Sequence, residues 1–138
     1  MRHSNLRFVT ERMLESLYRM GATCVVIAET DFATELIDWM AAEMLDRRGL
    51  EARVLGSTAE DGPLSVTYSG LAEQSTAHIL PPDEPLVRYA GICSHDVTVI
   101  VADTLHVSDD VKTVLRSATY GAGLNSVAVW IELTGGEA

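Results

Sequence analysis

Cations are scarce in this chain. Ten Lys and Arg stand against twenty Asp and Glu in 138 residues, a formal charge of -10. That balance excludes the broad cationic surface on which nucleic-acid and anionic-membrane affinity rests. Cysteine is scarce too. Cys24 and Cys93 are the only two, each in or just before an apolar strand-like run and without CxxC spacing, so reduced structural thiols are the reading over a disulfide framework. No apolar run approaches the ~20 residues that cross a bilayer. The first stretch, MRHSNLRFVTERMLESLYRMG, has no continuous apolar segment and no small-residue cleavage site, so it is not read as a signal peptide. A cytoplasmic protein with no nucleic-acid or membrane partner is expected. Glycine motifs are missing as well: Gly121-Ala122-Gly123 follows a helical stripe instead of a strand, so it is no dinucleotide fingerprint. No serine or cysteine carries the flanking glycines of a nucleophile elbow.

What is present is one strong βα signal. In TCVVIAETDFATELIDWMAAEMLDRRG, residues 23 to 49, Cys24 to Ala28 form a continuous apolar run, the mark of a strand buried on both faces of a parallel sheet. The period then changes. Leu36, Ile37, Met40, Ala41, Met44 and Leu45 make one stripe of a 3.6-residue helix, with Asp31 as the expected N-cap and Arg47, Arg48 and Gly49 closing it. Ligands in such folds bind at the C-terminal ends of strands, here Glu29 to Phe32.

The rest of the chain repeats the rhythm. Leu6, Val9, Met13, Leu14, Leu17 and Met20 predict a helix over residues 5 to 20 ended by Gly21, either packed on the sheet or serving to oligomerise. Glu51 to Leu55 reads as a second strand parallel to the first across a right-handed crossover, and residues 56 to 63 as a loop. LSVTYSG could be a short strand and residues 71 to 79 a short helix, with another short helix over 85 to 92. Val97 to Ala102 is a second apolar strand. Ser108, Asp109 and Asp110 then open a helix carrying Val111, Val114, Leu115 and Ala118, and Ser126 to Leu133 is a last strand. Trp39, Trp130 and the methionines read as packing residues. The expectation is a single α/β domain over residues 1 to 138, three layers about a doubly wound, mostly parallel sheet.

Two segments, VVIAETDFATELIDWMAAEMLDRRGLEARVLG and HDVTVIVADTLHVSDDVKTVLRSATYGAGLNSVAVWI, together with the leading helix, give a progression that resembles the sugar isomerase (SIS) domain, a phosphosugar-binding α/β fold. The resemblance implies a homodimer or higher oligomer and binding or isomerisation of a sugar phosphate or related polar metabolite. The alternative it leaves is a non-catalytic regulatory or scaffold subunit. Where the family has its first Gly/Ser turn, this chain has Ala28-Glu29-Thr30-Asp31-Phe32. Where the family has Ser-x-Ser-Gly-x-Thr, it has Ala102-Asp103-Thr104-Leu105-His106-Val107, and only Thr104 keeps a matching hydroxyl.

Candidate chemistry gathers at these turns. Glu29 and His106 are the candidate catalytic acid and base, although a loop histidine can simply be solvated. Thr30, Asp31, Ser57, Thr58, Asp103, Thr104 and Ser108 are the candidate substrate-binding residues. Converging carboxylates at Glu29, Asp31 and Asp103 could instead hold a hard cation, but no complete metal motif accompanies them, and neither a metal nor a cofactor is expected. His78, His95 and His3 sit at less telling places.

Overall fold

The computed structural model describes residues 2–46, 53–57, 66–69, 75–82, 96–102, 109, 110, 112, 113 and 127–133. Its elements run α1 (Arg2–Tyr18), β1 (Ala22–Ile27), α2 (Thr30–Asp46), β2 (Arg53–Ser57), β3 (Val66–Ser69), β4 (Thr76–Leu80), β5 (Asp96–Val101) and β6 (Val127–Glu132). The strands form one six-stranded sheet in the order β2-β3-β4-β1-β5-β6. β1 pairs in parallel with β4 and with β5, and β5 with β6, whereas β2–β3 and β3–β4 are antiparallel. Five of the six strands therefore run one way and β3 alone runs the other. The expected mostly parallel α/β sheet is present.

β1 occupies the interior because its sequence permits nothing else. All six of its residues are buried, and alternate side chains of an apolar run point to opposite faces. Cys24 and Val26 join α1 and α2 in a cluster with Ile100, Ala77, Ile79, Val66 and Tyr68. Val25 and Ile27 join Leu80, Val97, Val99 and Val101 on the opposite face, with Trp130 packed against them. α1 and α2 thus lie on the same face of the sheet. Leu6, Val9, Met13, Leu14 and Leu17 of α1 and Phe32, Ala33, Leu36 and Met40 of α2 supply their share of that core.

The end of α1 is fixed at the N-terminal rim of the sheet. Gly21 takes a left-handed φ of 72°, a conformation that costs a side chain more than it costs glycine. Ser75 just before β4 donates from its hydroxyl to the Leu17 carbonyl at 2.9 Å. Arg19 Nη2 donates to Asp96 Oδ1 at 3.2 Å, while Arg19 Nη1 reaches Glu15 Oε1 at 3.2 Å. With its C-terminus held there, α1 runs antiparallel to β1. α2, which leaves β1 at the other rim and returns over the same face, runs in the same direction as α1.

Four expectations are corrected. Gly56 and Ser57, read as the start of a loop, belong to β2, which runs parallel to β1 as expected but lies at the sheet edge, with β3 and β4 between them. Arg53 and Gly56 suit an edge position better than an interior one. Residues 76 to 79, read as part of a helix, belong to strand β4, Thr76–Leu80. Their alternation puts Ala77 and Ile79 into the helix-covered core, while half-buried His78 turns to the other face, where its Nδ1 meets Thr67 Oγ1 at 3.0 Å. Met20 is not core filler but 75% exposed, because α1 ends at Tyr18 before the stripe reaches it. Asp31 is not the cap, as described below. The helix over 85 to 92, the loop over 58 to 63, and the ends at Arg47, Arg48 and Gly49 lie outside the described residues.

Two predictions follow from this core. Leu36→Ala removes a fully buried side chain from between α2 and the sheet and should lower unfolding free energy by about 2–5 kcal/mol, read from urea midpoints at unchanged slope. Burial pushes the Cys24 thiol up from 9.0 to about 12, against the opposing influence of Arg12, a Ser16 hydrogen bond and Arg19. A raised folded value leaves stability intact below about 9, and the stability then declines as the unfolded thiol ionises first. In a Cys93→Ser background, Cys24 should resist a disulfide reagent at pH 8 until the chain unfolds, and stability should fall between pH 9 and 11. Rapid labelling of the native protein at pH 8 would contradict this burial.

Candidate functional site

The central strands reach the C-terminal rim level with one another. Ala28 N–H donates to Leu80 O at 3.0 Å, Ala102 N–H to Ile27 O at 3.0 Å, and Leu133 N–H to Val101 O at 2.9 Å. The ladder therefore continues one residue past β1, β5 and β6. Because β1 and β5 are in direct parallel register, Ile27 opposite Val101, the residues leaving them start about 5 Å apart.

The residues that follow β1 and β5 meet different faces of the sheet. α2 carries the chain from β1 onto the helix-covered face. Residues 109, 110, 112 and 113 are helical, and Lys112 Nζ lies 3.9 Å from Glu132 Oε1. Glu132 also accepts from Trp130 Nε1 at 3.3 Å, and Trp130 belongs to the opposite face. Open α/β sheets bind ligands in a crevice at the C-terminal ends of neighbouring strands, where the chain leaves toward different faces.

At the β1 exit, local chemistry sets the turn. Glu29 O accepts from Ala33 N–H at 2.9 Å, which makes Glu29 the N-cap and Thr30 the first helical residue. Asp31, expected as the cap, is instead the second helical residue, in the first turn where the helix dipole favours an anion. Thr34 Oγ1 donates back to Thr30 O at 2.8 Å. Glu29, Thr30 and Asp31 are all exposed, and the next side chain, Phe32, is buried beneath them. The turn thus presents two carboxylates and one hydroxyl to solvent, anchored from below by an aromatic ring.

The other candidates divide. Ser57 ends β2 at the same rim, but β3 and β4 intervene, which sets it about 14 Å from β1 at ordinary strand spacing. Thr58, Asp103, Thr104, His106 and Ser108 lie outside the described residues. Asp103 and Thr104 follow Ala102 directly in sequence, and Ala102 is bonded to the β1 exit. No group of three or more His, Cys, Asp or Glu able to hold a metal occurs among the described residues. No described helix is long and apolar enough to cross a membrane. The direction of α1 brings its first turns to the rim where α2 begins. Its periodicity marked it as a helix but carried no sign of which end would meet the crevice. A hollow of about 310 Å³ opens on its outer side, lined by Ser4, Arg7, Phe8 and Glu11.

Neither a protein-family model nor a curated protein matches this chain.

Asp31→Asn should test the polarity of this turn, since removing the first-turn charge should cost about 0.3–1 kcal/mol. The loss should shrink in high salt, as chemical denaturation at two ionic strengths would reveal.

Proposed function

We propose that the chain binds a small polar metabolite of the sugar-phosphate class, or a close relative, in the crevice between the ends of β1 and β5. The observation that supports this reading is the level, parallel pairing of those two strands, with α2 on one face and the Lys112–Glu132 ion pair on the other. It agrees with the SIS-like rhythm of the sequence, and an SIS-like doubly wound fold is part of the proposal.

Glu29, Thr30 and Asp31 suit the hydroxyl end of such a ligand. Exposed carboxylates accept hydrogen bonds from sugar hydroxyls but repel a phosphate at close range. The phosphate therefore belongs on the β5 side, with Thr104 and Ser108 as candidate donors. Isomerisation of an aldose to a ketose moves one proton from C2 to C1 and another from the C2 hydroxyl to the C1 carbonyl oxygen. Glu29 as base and His106 as acid are the residues proposed for that step. The second reading, a non-catalytic regulatory or scaffold subunit, draws on the carboxylates that replace the phosphate-gripping turn.

Thermal denaturation with pentose and hexose phosphates, the matching free sugars, inorganic phosphate, and Mg²⁺ or Mn²⁺ separates the readings. A ligand that binds only the folded chain at a hundred times its dissociation constant adds about 2.7 kcal/mol. A raised midpoint with one sugar phosphate, weakened in both Glu29→Gln and Thr104→Val, is the expected result. No shift with any sugar phosphate at millimolar concentration would overturn binding and leave the scaffold reading. A shift with metal alone, lost in Asp103→Asn, would redirect the site to cation chemistry.

A further inference from the structure

The outer faces of α1 and α2 form a continuous layer whose two halves complement each other. On α1 the outward stripe is Ser4, Arg7, Phe8, Glu11, Glu15 and Tyr18, all exposed, with Phe8 at 38% and Tyr18 at 45%. The Arg12 guanidinium lies 6.0 Å from the Phe8 ring centroid. On α2 the outward stripe is Asp31, Thr34, Glu35, Asp38, Ala41 and Ala42, small side chains flanked by carboxylates. The span Arg2–Tyr18 holds three Arg and two Glu, a formal +1, and Glu15 is engaged by Arg19. The span Thr30–Asp46 holds five Asp and Glu and no Lys or Arg, a formal -5.

We propose that this layer is a two-fold interface between copies of the chain, in which α1 of one copy lies over α2 of its partner. Two-fold axes in the plane of the layer allow two pairings of helices that run in the same direction. An axis across the helices would set α2 on α2 and oppose two rows of carboxylates, an arrangement that like-charge repulsion disfavours. An axis along the helices sets α1 over α2 twice. Arg7 and Arg12 then meet the acidic stripe, and Phe8 and Tyr18 meet the low surface of Thr34, Ala41 and Ala42. The hollow beside Phe8 lies within the contact. Self-complementarity of this kind is what an isologous dimer requires. Because all four helices then begin at one end of the assembly, both β1–β5 crevices open on the same side.

Sedimentation velocity on the full chain at micromolar concentration tests this. The wild type should be a dimer, and Arg7→Glu and Asp38→Arg should each weaken association about tenfold or more, with circular dichroism unchanged because both positions are exposed. An equimolar mixture of the two variants should recover the dimer, since each half of the mixed interface then pairs opposite charges. Phe8→Ser should weaken association without recovery by either variant. A monomeric wild type at 100 µM, or variants that stay apart when mixed, would overturn the proposal. Ligand shifts are read separately, so either outcome leaves the crevice to its own test.

Discussion

Everything in this molecule is arranged about the double pairing of β1. The strand is hydrogen-bonded in parallel on both edges and buried on both faces, so each of its residues must satisfy a packing demand from above or below and a ladder demand from the side. Parallel pairing also imposes a constraint on connectivity. The chain must return to the starting rim before each new parallel strand, and α2 makes that return on one face. The position of the helices and the position of the rim therefore follow from a single strand.

The anchoring at the opposite rim is of a different kind. Arg19 Nη2 holds Asp96 Oδ1 at 3.2 Å, and its Nε lies 3.1 Å from Oδ2, without hydrogen-bond alignment. The arginine side chain is 42% exposed, so the pair contributes little free energy on its own. Its role is geometric. It joins the end of α1 to the first residue of β5, which pairs with Ala22 at the start of β1. The Ser75 hydroxyl on the Leu17 carbonyl does the same for β4. These polar contacts fix the register in which the apolar surfaces close, while the buried residues supply the stabilisation.

How much could be read from sequence depended on whether one physical demand dominated a segment. β1 and β5 are apolar on both faces, and α2 buries Leu36 and Met40 of its expected stripe, so burial wrote most of their patterns; Ala41, counted in that stripe, is exposed because its small side chain makes little demand for the core. β4 was misread because its demands conflict: Thr76 and His78 face a half-buried polar row, with Thr23 and Thr76 hydroxyls 3.2 Å apart, while Ala77 and Ile79 face the core. A five-residue Thr-Ala-His-Ile-Leu run carries too little period to reveal this. The direction of β2 was legible, but its place at the edge was not, because it rests on the β2–β3–β4 antiparallel run, which is joined through poorly patterned segments. At the site, Glu29 to Asp31 were legible as the end of a buried strand. The cap assignment was not, since Glu29 caps through its backbone carbonyl, which no side-chain preference advertises.

The chemistry of the β1 turn limits what the crevice can hold. A helix N-terminus attracts anions, because its unpaired N–H groups and aligned dipoles carry about half a positive charge. In this chain that charge is already met from within by the first-turn carboxylate of Asp31, beside the exposed Glu29 and Thr30. A free phosphate would have to displace or oppose those carboxylates, whereas a hydroxyl could donate to them without that conflict. If one ligand spans the crevice, its anionic end must therefore turn away from α2 and toward the β5 side. Under the proposed binding, one turn would set the polarity of the ligand, through the same helix start that buries Phe32 in the core beneath it.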